Sequence, residues 1–589
     1  MTTITRIFDI LPYVKEKYPG KSDILACKID GAWKKYSIDD YTNYSNLVSH
    51  GLLSMGIKKG DKVVMISNSI PEWNFLDMGL LQIGAINVPI YPTLSESDQK
   101  YMINHCDADY IFVNGKDMVA RVEQLLPECN RIKKVYSLLP TAGYESLYDI
   151  MEAGKTHQQK FDLEEIKQSI DKDDIATIIY TSGTTGVSKG VMLSHYNIVS
   201  NFLGVANILP MCEHSKALSY LPLCHIYERM MIYTYQYSGL GIYYAENIAR
   251  IVDNMKEVQP SIMCSVPRLF EKMMNKIMAT GNKLTGIAKI VFFWAVKLAE
   301  QYEYDGAKGF MYELKRKIAY NLVYKKWRDA IGGNIAVIVS GGAALNERLC
   351  RMYTCAKMVV YQGYGLTETS PVIAVTAFRK GCYGYGSTGG ILPAVKVKIA
   401  DDGEILTKGP SLMKGYYKNP DLTKETIDEQ GWFHTGDIGK IEDETLLFIT
   451  GRKKSFFKNS FGKYINPVVV ETLLTESEFI DNAIVVGEGQ KYTAALIVPN
   501  FAELHKWCKD NAMTFSSNKD MVEDKRVINM YRGIIFEINK NLSSTEKVSN
   551  FRLMATEWTV ITGELSATLK VRRNMVIDRY KDLINSMFN

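Results

Sequence analysis

Apolar positions repeat along this chain at two periods, and the period switches where the chain changes element. Residues 44–55 and 71–84 carry apolar side chains at helical spacing, whereas KVVMIS (62–67) is a short run bounded by the turn GIKKGD (56–61). The pattern predicts helix, strand, helix. Short β-rich runs return at 110–113, 175–180, 262–266, 335–339 and 357–361, separated by longer helical stretches. That alternation predicts an α/β architecture with largely parallel sheets. After about residue 385, strand-length pieces at 395–399, 403–407 and 446–450 alternate with glycine turns, which predicts a β subdomain joined to the main body. Beyond residue 451 the pattern predicts a helix at 467–474, strands at 482–487 and 494–498, and mostly helix to the end. The expected division is a large N-terminal domain of layered α/β subdomains plus the β subdomain, 1–451, and a small α+β C-terminal domain, 452–589.

Composition narrows the class. The 589 residues are 46% hydrophobic and 23% charged with a formal charge of +5, as in a soluble globular protein. No zinc-finger spacing, arginine-rich arm or basic-aromatic stripe supports nucleic acid as a partner. Ten cysteines without a CxxC pair suit a reduced, cytoplasmic compartment. The first twenty residues lack a secretory signal and suit a short surface-packed helix. The densest apolar run, IVFFWAV (290–296), has seven residues, where a membrane span needs about 20. It fits a buried or interfacial helix segment.

Candidate chemistry begins at YTSGTTGVSKG (180–190), directly behind the apolar run 175–179. Glycines 183, 186 and 190 allow a tight turn that exposes amides to phosphate oxygens. Thr181, Ser182, Thr184 and Thr185 add hydroxyl donors around Gly183 and Gly186, and Lys189 adds a mobile charge. A kinase-type loop needs glycine before the lysine and a hydroxyl residue after it; here Ser188 precedes and Gly190 follows. An ordinary solvent turn or a phosphate grip of another kind remains. Elsewhere, a tyrosine face such as Tyr364 can stack on a purine, and Glu368 can hold a divalent cation against phosphate. Asp437, between glycines, can accept from vicinal hydroxyls or merely cap a turn. Taken alone, Lys570 reads as a solvated lysine and His225 as a structural histidine. Were Cys224 in a strand, it would point away from His225.

The loop resembles the phosphate loop of the adenylate-forming (AMP-binding) superfamily, with Ser188 where that family usually has proline. Further motifs follow in the family's order: LPLCHIYER (221–229), SVPRLFEK (265–272), SGGAAL (340–345), YQGYGLTET (361–369), GWFHTGDIG (431–439), GRKK (451–454), GKYINP (462–467) and GELSATLKVRR (563–573). Together they span nearly the whole chain. The resemblance implies that ATP, Mg²⁺ and coenzyme A are used in two steps, through an acyl-adenylate to a thioester. It implies Tyr364 against adenine, with Gly341, Gly342, Ala343, Gly363 and Gly365 flanking the nucleotide, and Gly365 allowing its close approach. Thr367 would lie near the α-phosphate, Glu368 and Thr181 would hold Mg²⁺, and Asp437 would take the ribose with Arg452 assisting. Lys570 and Lys189 would stabilise charge, and His225 would position substrate at the junction of acyl and nucleotide sites. Lys454 matches the hinge about which the C-terminal domain swings, bringing Gly462, Lys463 and Tyr464 to the thiol channel in the second step.

LPLCHIYER, SVPRLFEK, YYAENI (243–248), GPSLMKGYYKNP (409–420) and the helical insert around 284–327 resemble long-chain fatty acyl-CoA ligases. The expected partners are a fatty acid and CoA. Alternatives are another bulky carboxylic acid, an acyl carrier protein as acceptor, or a non-catalytic acyl- or nucleotide-binding relative. Trp294, Trp327 and nearby lysines suggest peripheral contact with the inner face of a membrane, or ordinary packing.

Overall fold

The computed structural model describes residues 3–129, 131–182, 188–378, 382–566 and 569–588. Two large sheets form the body. In the seven-stranded sheet the order is Gly415–Tyr416, Ser188–Ser194, Ile175–Ser182, Ile86–Ile90, Lys62–Ile66, Tyr110–Val113 and Lys134–Ser137. Its last five strands are parallel neighbours, as the helix-separated runs predict. The exception is at the phosphate loop. Ser188–Ser194 pairs antiparallel with Ile175–Ser182, so Lys189 stands on a strand.

The second sheet has thirteen strands. Its parallel centre comprises Val337–Ser340, Ile262–Ser265, Lys216–Ser219 and Gly241–Tyr244. The predicted β subdomain is present and continues this sheet edge to edge. The seven-residue strand Val359–Gly365 pairs parallel with Val337–Ser340 through its first half and antiparallel with Val372–Val375 through its second. A bulge between Tyr364 and Gly365 separates the residues that the YGLTE motif uses. At Gly365 a Cβ would meet the Pro371 carbonyl oxygen at 1.7 Å, so the backbone itself requires glycine there. The sequence reading attributed that glycine to ligand approach alone; a neighbouring chain segment already demands it.

Two N-terminal expectations change. The helix Ile10–Lys17 and the short turn Ile7–Asp9 bury Ile7, Phe8, Ile10, Leu11 and Val14 in the main core, so this segment is more than a surface-packed helix. The helix predicted over 44–55 runs Ile38–Ser54, started by a capping box in which Ser37 and Asp40 exchange hydrogen bonds.

From residue 457 onward the chain builds cores of its own. One gathers Ile465, Val470, Leu474, Val485 and Tyr531, and another gathers Leu496, Trp558, Val576 and Ile584. A three-stranded sheet, Ile480–Val486, Thr493–Pro499 and Val548–Leu553, separates them; its third strand falls where the sequence pattern predicts helix.

Candidate active site

The strand pair Ile175–Ser182 and Ser188–Ser194 roots the candidate site. Thr181 pairs with Lys189 across the ladder. Ser182 lies at the strand end, and Gly183, Thr184, Thr185 and Gly186 lie outside the described residues. The short strand Gly415–Tyr416 adds to the outer edge of this pair, with Tyr416 opposite Val191. Tyr416 was assigned no role from sequence, yet it joins two predicted residues. Its hydroxyl donates to Glu368 Oε1 at 2.8 Å, and the Lys189 ammonium lies 5.1 Å from its ring centroid. The Met413 amide donates to the Glu368 carbonyl at 2.8 Å, fixing the same junction through the backbone. Burial pulls the Lys189 pKa below the usual lysine range; Glu368 opposes this and Lys454 adds to it. Lys454 is therefore within electrostatic reach of Lys189.

A second group stands on the β-rich part. Asp437 and Arg452 face each other on neighbouring strands, with Arg452 Nε 3.1 Å from Asp437 Oδ1. Tyr364 donates to Asp437 Oδ2 at 2.8 Å. A carboxylate has about four lone-pair sites, so both oxygens retain capacity for a ligand hydroxyl. Burial raises the Asp437 pKa, while Arg452, the Tyr364 bond and Lys570 oppose the rise. Behind this aspartate, Glu404 accepts from the Gly436 amide at 2.9 Å and from Lys453 at 2.9 Å. The sequence offered no sign of that brace, because Glu404 and Lys453 lie 49 positions apart.

Lys570 reaches this group from the far end of the chain. Its turn is held by Ser566, whose backbone N–H donates to the Lys570 carbonyl at 2.8 Å and whose Oγ accepts the Lys570 amide at 3.1 Å. Lys570 is exposed by its accessible surface, yet the surrounding protein desolvates its ammonium. That desolvation lowers its pKa, Arg452 adds to the lowering, and Asp437 opposes it. Three contacts from the C-terminal segment to the body accompany this placement. Arg572 lies 3.9 Å from Asp98, Arg268 pairs with Asp481, and Asn346 donates to Glu476.

His225 is the N-cap of the helix Ile226–Tyr237, not a strand residue, and Cys224 beside it is buried. Its Nδ1 accepts the Tyr227 amide at 3.2 Å, which leaves the ring proton on Nε2. Burial pushes its pKa down to about 4, with Lys570 adding, so the imidazole is neutral near pH 7. One turn further, Arg229 is fully buried and joins three elements. It lies 2.5 Å from Asp77, and it donates to Thr177 Oγ1 at 2.8 Å and to the Tyr233 hydroxyl at 2.9 Å. Thr177 belongs to the strand Ile175–Ser182, so the Arg229 hydrogen bond couples the His225 helix to that strand.

The remaining predicted residues divide into two sets. Gly341 is buried at the end of Val337–Ser340, where a Cβ would lie 3.0 Å from the Tyr227 ring, while Gly342 and Ala343 are exposed. Gly363 and Thr367 flank Tyr364 and Glu368 on the same continuous segment. By contrast Gly462, Lys463 and Tyr464 lie exposed on a separate two-stranded ribbon, Phe457–Lys458 with Tyr464–Ile465. Among the described residues no three His, Cys, Asp or Glu side chains gather as a metal cage. Glu368, with a single carboxylate beside a lysine, fits a Mg²⁺ ion that a polyphosphate brings with it.

This fold and cleft belong to a nucleotide-dependent enzyme built from a large body and a small C-terminal unit. Residues 14–417 match the AMP-binding enzyme family and residues 457–589 match the AMP-binding enzyme C-terminal domain. The chain belongs to the AMP-binding enzyme family. It is 31% identical over 567 residues to the long-chain-fatty-acid–CoA ligase FadD15 of Mycobacterium bovis, covering 95% of this chain and 93% of that one. It is 27% identical to fatty acyl-CoA synthetase A of Dictyostelium discoideum, covering 100% of this chain and 90% of the relative. Among solved structures, ATP-bound MatB of Rhodopseudomonas palustris shares the fold with a TM-score of 0.71 at 19% identity, covering 98% and 99% of the two chains.

Proposed function

We propose that this protein activates a long-chain fatty acid with MgATP and transfers the acyl group to coenzyme A. The carboxylate attacks the α-phosphorus, the bond to the bridging oxygen breaks, and pyrophosphate leaves. The CoA thiol, losing its proton, then attacks the acyl carbon and releases AMP. The observation that carries this reading is the electrostatic interaction of Lys570 with Asp437, Arg452 and His225, together with that of Lys189 with Glu368.

Asp437 accepts the ribose hydroxyls while Arg452 and Tyr364 hold its carboxylate, and the exposed part of the Tyr364 ring faces the base. Thr181, the loop hydroxyls and Lys189 hold the phosphates. Glu368 and Thr181 hold Mg²⁺, which when bound offsets phosphate charge. Lys570 stabilises the negative charge that grows on the attacking carboxylate and the α-phosphate. Neutral His225 orients the acid by donating from Nε2, and its Nδ1, taken up by the Tyr227 amide, is not free to act as a general base.

The same proposal takes 452–589 as a mobile domain that turns at Lys454 after the adenylate forms. Lys570 then withdraws, and Gly462, Lys463 and Tyr464, now exposed, come to the acceptor channel. Peripheral contact with a membrane completes the reading, since long-chain acids partition into bilayers. No helix of the described residues is long and apolar enough to cross one.

The test is an acid panel on the full chain, with palmitate, short-chain and aromatic acids, and with CoA or acyl carrier protein as acceptor. Pyrophosphate and AMP should appear with palmitate and CoA. Absence of both with palmitate would remove the long-chain assignment, and transfer only to carrier protein would replace CoA as acceptor.

A further inference from the structure

We propose that the helix pair Gly286–Glu300 and Phe310–Ala319 is the face by which this protein docks on an anionic membrane surface. The proposal rests on the peripheral-contact reading above and is independent of the ligase activity.

The two helices run antiparallel. Tyr312 donates to the Leu298 carbonyl at 2.6 Å, Tyr324 donates to the Ala295 carbonyl at 2.6 Å, and the Phe292 and Trp327 rings are 6.2 Å apart. The inner sides of this pair and of its helical continuation, Tyr320–Tyr324 and Lys325–Ala330, are anchored in the core through Phe292, Ala295, Val296, Ala319, Val323 and Trp327. Their outer sides should then be polar, and they are not. Ile287 is 79% exposed and Ile290 70%, one helical turn apart. Phe310 is 79% exposed, and Leu314, Ile318 and Leu322 follow at four-residue intervals, each about half exposed. Exposed apolar stripes on two packed helices mark an interaction surface. Trp294 lies on the first stripe at 36% exposure, where an indole suits the headgroup level, whereas Trp327 is buried and is withdrawn from the interface suggested by sequence.

Charge selects the occupant. From 283 to 326 there are nine Lys or Arg and four Asp or Glu. Three of those acids are tied to arginines: Glu300 to Arg348, Glu303 to Arg351 and Glu313 to Arg316. Lysines 289, 297, 308, 315, 317, 325 and 326 are all exposed around the apolar stripes. Protein interfaces are depleted of lysine, and a second copy would bring two basic faces together. An apolar stripe edged by lysine instead matches an in-plane contact with acidic headgroups.

The test is co-sedimentation of the full chain with phosphatidylcholine vesicles and with two-to-one phosphatidylcholine–phosphatidylglycerol vesicles. The protein should bind the anionic vesicles and lose binding as salt rises. The variant Ile287→Ser, Ile290→Ser, Phe310→Ser, Leu314→Ser should partition roughly tenfold or more weakly. A second variant, Lys289→Glu, Lys315→Glu, Lys317→Glu, keeps the apolar face and should weaken binding by a similar factor at low salt. Both should retain thermal unfolding and pyrophosphate release with detergent-dispersed acid; should the first misfold, the second decides. If the unaltered protein ignores both vesicles, membrane contact itself is wrong. If it binds but the folded variants bind within twofold of it, membrane contact stands and this face is not the docking site. A dimer that the serine variant disperses would assign the face to a second copy and overturn the proposal.

Discussion

Glu228 offers the sharpest test of how burial governs this core. It is 1% exposed, its Oε1 accepts the Ser219 hydroxyl at 2.5 Å, and its Oε2 has no partner among the described residues. Burial pushes its carboxyl from 4.5 up to about 8, and the Ser219 bond works in the other direction. The folded pKa is raised, so the stabilisation linked to the retained proton is complete below about pH 4.5 and is lost as pH rises through about 8. At 1.36 kcal/mol per pKa unit, going from pH 6 to pH 8 removes about 2 kcal/mol through this one group. In Glu228→Gln the amide still accepts from Ser219, and its unmet N–H donors add a penalty of about 1–3 kcal/mol that does not depend on pH. Calorimetry of both proteins at pH 6 and pH 8 isolates the effect as a change in their difference. At about 2.1 cal/mol/K of unfolding entropy per residue, size scaling over this chain puts the relative gain of the variant at about 2 °C in Tm over that interval. Parallel pH dependence, with the gap constant to within about 1 °C, would show that Glu228 is not held protonated by burial and would refute the reasoning.

Three further outcomes follow from the site. Lys570→Ala should slow adenylate formation by roughly 10²–10³ while sparing thioester formation from supplied acyl-adenylate, and Lys463→Ala should do the reverse; rapid-quench assays of the half-reactions separate them, and an unchanged adenylation rate removes the role given to Lys570. Tyr416→Phe keeps the ring beside Lys189 but removes the 2.8 Å bond to Glu368, so Mg²⁺ titrations of pyrophosphate release should shift by up to about tenfold with little change in stability. Arg229→Met should destabilise by about 3–5 kcal/mol because it strands the Asp77 carboxylate in the core, and adding Asp77→Asn should recover much of that in thermal unfolding.

Candidate residues were legible in the chain before it was folded. The phosphate loop, the YGLTE segment, Asp437 and Lys570 carry their meaning as residue types in fixed spacing, and the parallel strands announce themselves as short apolar runs between helical ones. Three things were not legible. The return strand Ser188–Ser194 reads as part of a loop, because antiparallel pairing with Ile175–Ser182 is a property of the ladder and leaves no period in seven residues. Tyr416 and Glu404 look like ordinary strand residues, since their partners Glu368 and Lys453 are 48 and 49 positions away. Trp294 and Trp327 look alike in sequence, and only packing against Phe292 buries one and leaves the other at the surface.

The sequence by itself therefore determined the inventory: an α/β body, a glycine-rich candidate phosphate loop without the kinase ending, and a distant lysine in a recognisable motif. Tertiary structure decided which of those groups act on one another. It set Lys570 into the field of Asp437, Arg452 and His225, made His225 a neutral helix cap, and turned the apolar stripes of one helix pair outward. The physical reason is range. Propensity and motif spacing act over a few residues, whereas desolvation and charge act through space between residues hundreds of positions apart.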